Sequence, residues 1–201
     1  MPFCPRCKSL QAIFAIDYWI RTCLSGHPEC QKKGMADFVP TRIVAVGESG
    51  DDHVRLVDNA RHSNLTDKRD IALSHCWGLD MPSSAQTFDS NLAEHKQSIA
   101  LAALTTTFVD VIEISRRLGI PYIWVDFLCI IQGNAADWGR EAAQMSAVYT
   151  CAHITLAASG SSSGSHGCHI LGDEVLYVDV PFNGGEFELG SKTQRQYRVC
   201  A

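Results

Sequence analysis

The chain has 201 residues, 46% of them apolar, 19% charged, nine cysteines and a formal net charge of -5. That length suits one ordinary domain with a small appendage, and it can bury a core without a disulfide scaffold. The acidic balance lacks the basic footprint of a nucleic-acid binder, so neither DNA nor RNA is an expected partner.

The first twenty residues, MPFCPRCKSLQAIFAIDYWI, interleave polar and charged residues with their only apolar stretch, and no export signal of the usual form is visible. The longest apolar run, Ile120 to Ile131, is interrupted by Asp126 and is too short to span a bilayer. A soluble, cytoplasmic protein with no membrane span is expected. The odd cysteine count, with several inside apolar segments such as Phe127-Leu128-Cys129-Ile130, fits buried thiols in a reducing compartment. Asn64-Leu65-Thr66 matches a glycosylation sequon but reads here as turn chemistry.

The amino-terminal segment holds Cys4-x2-Cys7 and then Cys23-x3-His27-x2-Cys30, a set of zinc-ligand types in a small region. Cys23 and His27 are four apart on a predicted helix and can share a face, and Cys4 and Cys7 can form a knuckle. Packing cysteines are the alternative, because the spacing is not one of the usual finger patterns. Next, Thr41 to Val46 and His53 to Val57 flank the turn signal Gly47-Glu48-Ser49-Gly50-Asp51-Asp52, which predicts a hairpin. The polar stretch Arg61 to Asp70 marks a boundary, giving a Cys-rich leader and hairpin over 1–62 and a main domain over 63–201.

Beyond the boundary, Asp70 to His75 reads as a strand. Ala103 to Leu118 reads as a helix from the spacing of Phe108, Val111, Ile112, Ile114 and Leu118, ended by Gly119. Pro121 to Asp126 is apolar on consecutive positions, as in a strand buried on both faces of a parallel sheet. Asp137 is placed to cap a helix running to Tyr149, and His153 to Ala158 reads as a third buried strand. Strands alternating with helices predict an α/β fold with a parallel sheet and right-handed crossovers.

In such sheets ligands bind beyond the carboxyl ends of the strands. Those ends carry Ser74-His75-Cys76-Trp77-Gly78, then Asp126, then the run Ser159 to Gly164, and the next helix adds Asp137, Trp138 and Glu141. A polar crevice is the expectation. Ser74, Asp126 and Asp137 can equally cap backbone groups, the tryptophans can be core, and Glu141 can be a solvated surface carboxylate. Cys76 as a nucleophile lacks a base in His75, which alternation puts on the other side of the strand, so His153 or His166 would have to serve. The Ser/Gly-rich run has no phosphate-loop pattern and reads as a connection.

Ala72-Leu73-Ser74-His75-Cys76-Trp77-Gly78, Tyr122 to Gln132, Asp137-Trp138 with Glu141, Met145 and Val148-Tyr149, and Ala152 to Ala158 resemble, in order and spacing, the signature blocks of the fungal heterokaryon incompatibility (HET) domain. Trp19, Cys23, His27, Cys30, Pro40-Thr41-Arg42 and Arg55-Leu56-Val57 resemble the leader that commonly precedes it. The resemblance implies a death-triggering role in vegetative incompatibility. It also implies a parallel β-sheet flanked by helices, similar to flavodoxin-like folds and to Toll/interleukin-1 receptor (TIR) domains, whose enzymatic members cleave NAD.

By that likeness Glu141 is the catalytic carboxylate, and Ser74, His75, Cys76, Trp77, Asp126 and Trp138 line the pocket. NAD is then a substrate, and zinc is the remaining cofactor suggested by the residues. The implied partners are further copies of the chain or other incompatibility and signalling proteins. Two departures stand out: Phe127 occupies a position where a small residue is typical, and the Arg-x-Trp-x-x-Gln-Glu block that usually closes the domain is absent before Ala201. A non-enzymatic module, or a truncated and inactive copy, is therefore the alternative.

Overall fold

The computed structural model describes residues 10–28, 38–58, 67–78, 81–158 and 167–168. A first helix, α1 (Leu10–Gly26), precedes the hairpin of β1 (Arg42–Ala45) and β2 (His53–Asp58). These strands pair antiparallel with Arg42 opposite Asp58 and Ala45 opposite Arg55. Their turn depends on Gly47, whose φ of +70° is left-handed. A Cβ there would stand 2.4 Å from Asp51 Oδ2, the oxygen that accepts the Glu48 amide at 2.9 Å.

β3 (Asp70–Ser74) is buried at every position but the last, which suits a strand with neighbours on both sides. Next come a short helix, α2 (Leu92–His95), the short β4 (Ile99–Ala100), and α3 (Thr106–Arg117). The Thr105 side chain accepts the Phe108 amide and fixes the α3 start, a few residues later than the apolar spacing suggests. Gly119, with φ +64°, ends it as expected. β5 (Tyr122–Trp124) is wholly buried, and the chain then turns at once into the single-turn α4 (Asp126–Cys129). α5 (Ala135–Cys151) and β6 (Ile154–Ala157) complete the described elements.

Among the described residues the strands form one six-stranded sheet in the order β4-β2-β1-β5-β3-β6, flanked by helices. β3 is central to a parallel half, with Ile71 opposite both Ile123 of β5 and Ile154 of β6. The expectation of an α/β fold holds, but the sheet is mixed rather than parallel throughout. The hairpin extends it, because β1 docks antiparallel on β5 with Val44 opposite Ile123. Arg116 of α3 fastens that hairpin by donating to the carbonyls of Val46 (2.8 Å), Asp51 (2.9 Å) and His53 (3.2 Å). β6 lies at the edge of the described sheet and is only half-buried, not fully buried as its apolar run suggests, since one flank has no neighbouring strand among the described residues.

The core between sheet and helices centres on Phe108, Ile112, Ile114, Ile123, Trp124, Leu128, Ile71 and Leu73. None of the described helices is long and apolar enough to cross a membrane.

Candidate active site

The carboxyl end of β3 is where the strand loses its neighbours, so its last residues turn from core to surface. Ser74 is exposed, and its carbonyl accepts the Ala158 amide at 2.8 Å. The His75 side chain is 1% exposed. Its ring stands edge-on to Phe108 at 5.2 Å and tilted to Phe127 at 6.1 Å. Neither ring nitrogen has a hydrogen-bond partner among the described residues, and Nδ1 is 3.9 Å from Asp126 Oδ1. Cys76 and Trp77 are exposed. The Trp77 indole nevertheless reaches across to donate from Nε1 to Asp126 Oδ2 at 2.6 Å, and it packs edge-on against Phe127 at 5.0 Å.

Asp126 is buried because it opens α4 directly beneath β5, and its Oδ1 accepts the Phe127 amide at 2.8 Å. Burial holds its carboxyl above the usual carboxylate range, opposed by His75, by the Trp77 bond and by the Phe127 amide. Burial likewise holds His75 below the usual imidazole range, with Asp126 pulling the other way. His75, Trp77 and Asp126 therefore meet around Phe127, which fills the space a smaller residue would leave. α4 is held from outside by buried Thr87, whose amide donates to Phe127 O at 2.9 Å and whose carbonyl accepts the Gln132 amide at 2.7 Å.

A second cluster forms at the other end of that single turn, about 6 Å away at 1.5 Å per residue. Arg42, the first residue of β1, is buried and donates from Nε to Cys129 O at 2.6 Å and from a terminal nitrogen to Asp137 Oδ2 at 2.5 Å. The same nitrogen stands 3.5 Å from Glu141 Oε1, an ion-pair distance without an aligned hydrogen bond. Asp137 also accepts the Ile131 amide at 2.8 Å and an Arg140 nitrogen at 2.7 Å. Burial works to raise the Asp137 carboxyl, but the Arg42 bond, the Ile131 amide and the two arginine charges outweigh it and hold it below the usual range. Cys129 lies between the clusters, and burial pushes its thiol up to about 12, so it is no nucleophile.

Asp137 is thus not the cap of α5. Asn134 is, its side chain accepting the Asp137 amide at 3.0 Å. Residues 137 and 141 are one helical turn apart and share the buried face, with Glu141 2% exposed, whereas Trp138 is 58% exposed. Trp138 lines a shallow depression with Ile131, Gln132, Gly133, Asn134 and Ala135. The structure therefore gathers His75, Trp77 and Asp126 in one group and Glu141 in another, with Trp138 turned to the surface and Ser74 and Cys76 exposed. Sequence reasoning gave no site role to Arg42. The available signals were its place in Pro40-Thr41-Arg42, which resembles the leader before HET domains, and a charge at the head of a strand whose next positions are all apolar.

Of the suggested zinc ligands, Cys23 lies on α1 and His27 directly follows it, the His27 amide donating to Cys23 O at 3.0 Å. Cys4, Cys7 and Cys30 lie outside the described residues, as do His166, the run Ser159 to Gly164 and Asn64 to Thr66.

A family model described as heterokaryon incompatibility protein (HET) matches residues 71–175. The chain belongs to the HET family. The matched stretch begins inside β3 and takes in α3, β5, α4, α5 and β6, so Ser74, His75, Cys76, Trp77, Asp126, Trp138 and Glu141 all lie within the HET match. Arg42 lies before it. No curated protein and no solved structure matches the chain.

Proposed function

We propose that this HET protein acts in the cytoplasm to promote the death of mixed cells after fusion of unlike fungi, by hydrolysing NAD at the nicotinamide glycosidic bond. In that reaction the bond between the ribose and the ring nitrogen breaks and its electron pair neutralises the pyridinium. Water then adds to the ribosyl cation with loss of a proton, leaving nicotinamide and ADP-ribose. Glu141 is the carboxylate that stabilises the oxocarbenium charge, as the likeness to TIR enzymes suggests. His75, Trp77 and Asp126 border the substrate, with Ser74 and Cys76 at the mouth.

One observation carries this reading: Glu141 is buried beside an arginine, yet its Oε1 accepts no hydrogen bond among the described residues. Buried carboxylate oxygens are ordinarily satisfied, so this unpartnered one marks unspent accepting capacity, which a donor such as a ribose hydroxyl would meet once movement of the surrounding side chains admits it. The test is expression in fungal cells with NAD content followed. The wild type is expected to deplete NAD before cells die, and Glu141→Gln, matched in size, to do neither. Killing by the Gln variant at undiminished NAD would remove the enzymatic reading.

The second reading is a signalling module acting by self-association. It is favoured by α1, where Phe14, Tyr18 and Trp19 are 69%, 66% and 58% exposed. It predicts concentration-dependent oligomers by sedimentation that are lost in Tyr18→Ser with Trp19→Ser.

A further inference from the structure

We infer that Arg42 is the positioning residue for Glu141, so the working site extends beyond the family-matched stretch to the first strand of the hairpin. The inference rests on the reading that Glu141 serves glycosidic cleavage. Arg42 is fixed at two points before it meets Glu141: Nε on the carbonyl that ends α4, and a terminal nitrogen on Asp137 Oδ2. The Asp137 carboxylate also accepts from the Ile131 amide and from Arg140, and its backbone amide donates to Asn134, so it cannot swing away with the arginine. The guanidinium is therefore immobile when it presents its charge 3.5 Å from Glu141 Oε1.

Two consequences follow from that geometry. Arg42 supplies the counter-charge that a carboxylate at 2% exposure needs. It does so without an aligned hydrogen bond, so the accepting capacity of this buried oxygen is left unspent by the described residues. β1 gains the position by pairing with both β2 and β5, which places its first residue over the far end of α4.

The experiment combines steady-state kinetics of nicotinamide release with thermal unfolding, on wild type, Arg42→Lys, Arg42→Gln, Glu141→Gln and the Arg42→Gln/Glu141→Gln double variant. A misplaced carboxylate costs turnover, so Arg42→Gln is expected to lower kcat about a hundredfold with KM within about threefold. Arg42→Lys keeps a charge but cannot span Cys129 O and Asp137 together, and it should recover only part of kcat. Unfolding effects of the two Gln changes should be non-additive.

An unchanged kcat in folded Arg42→Gln, or a loss confined to KM, overturns the positioning role. Additive unfolding effects overturn the pairing itself, whether or not NAD is cleaved. Non-additive unfolding with no nicotinamide released by the wild type defeats the NAD reading and reduces Arg42 to a structural bond. Should Arg42→Gln not fold, Arg42→Lys carries the kinetic comparison, and wild-type kcat in it overturns the proposal.

Discussion

Asp70 shows what a single buried carboxyl does to this fold. It opens β3, accepts the His153 amide at 3.3 Å, and is pushed up to about 6 by burial. A carboxyl whose folded value exceeds its unfolded value near 3.8 favours the native state in its protonated form. Stability from this group is therefore complete below pH 4 and is lost as pH rises through about 6. Asp70→Asn keeps the acceptor oxygen and removes the charge, so it should raise the melting temperature at pH 7 by an amount worth up to roughly 3 kcal/mol. The gain should vanish at pH 4; a gain independent of pH would contradict this assignment.

At the same scale, Phe127 was visible in the sequence as a bulky residue at a small-residue position. His75 and Trp77 were expected at the same pocket, but their ring contacts with Phe127 were not, because ring packing depends on where separate strand ends arrive.

Among the elements, those with a strong local signature were legible and those fixed by distant partners were not. The α3 face repeats at helical spacing, and β3 and β5 are short continuous apolar runs, so both kinds stood out. The cap of α5 did not, because Asn134 and Asp137 are equally good caps three residues apart and only geometry chooses. The choice matters for the site, since it frees the Asp137 carboxylate for Arg42 across 95 residues of chain. No local pattern encodes that pairing.

The hairpin was legible from its turn, and the turn itself can be tested. Gly47→Ala forces a left-handed φ on a residue with a Cβ and drives that Cβ onto Asp51. Chemical denaturation should show a loss of about 1–2 kcal/mol; no loss would mean the turn tolerates another conformation.

At the scale of the whole molecule, the hairpin and the parallel half form one sheet, and that continuity brings Arg42 to α5. The α/β class was readable from alternating strands and helices, while the antiparallel docking of β1 on β5 was not, because either edge of the parallel half could have received it. Ile71 lies where both parallel neighbours meet and is fully buried. Ile71→Ala should cost about 2–5 kcal/mol in a single cooperative transition. Loss of the hairpin signal separately from the rest would contradict one shared core.

The proposed role of Glu141, a buried carboxylate held beside Arg42 in a HET domain, is cleavage of NAD. Its most direct test is nicotinamide release from NAD by purified protein at high concentration, wild type beside Glu141→Gln. Release by the wild type and none by the variant, with both folded, is the expected result. Equal release by both, or none from folded wild type, would contradict it.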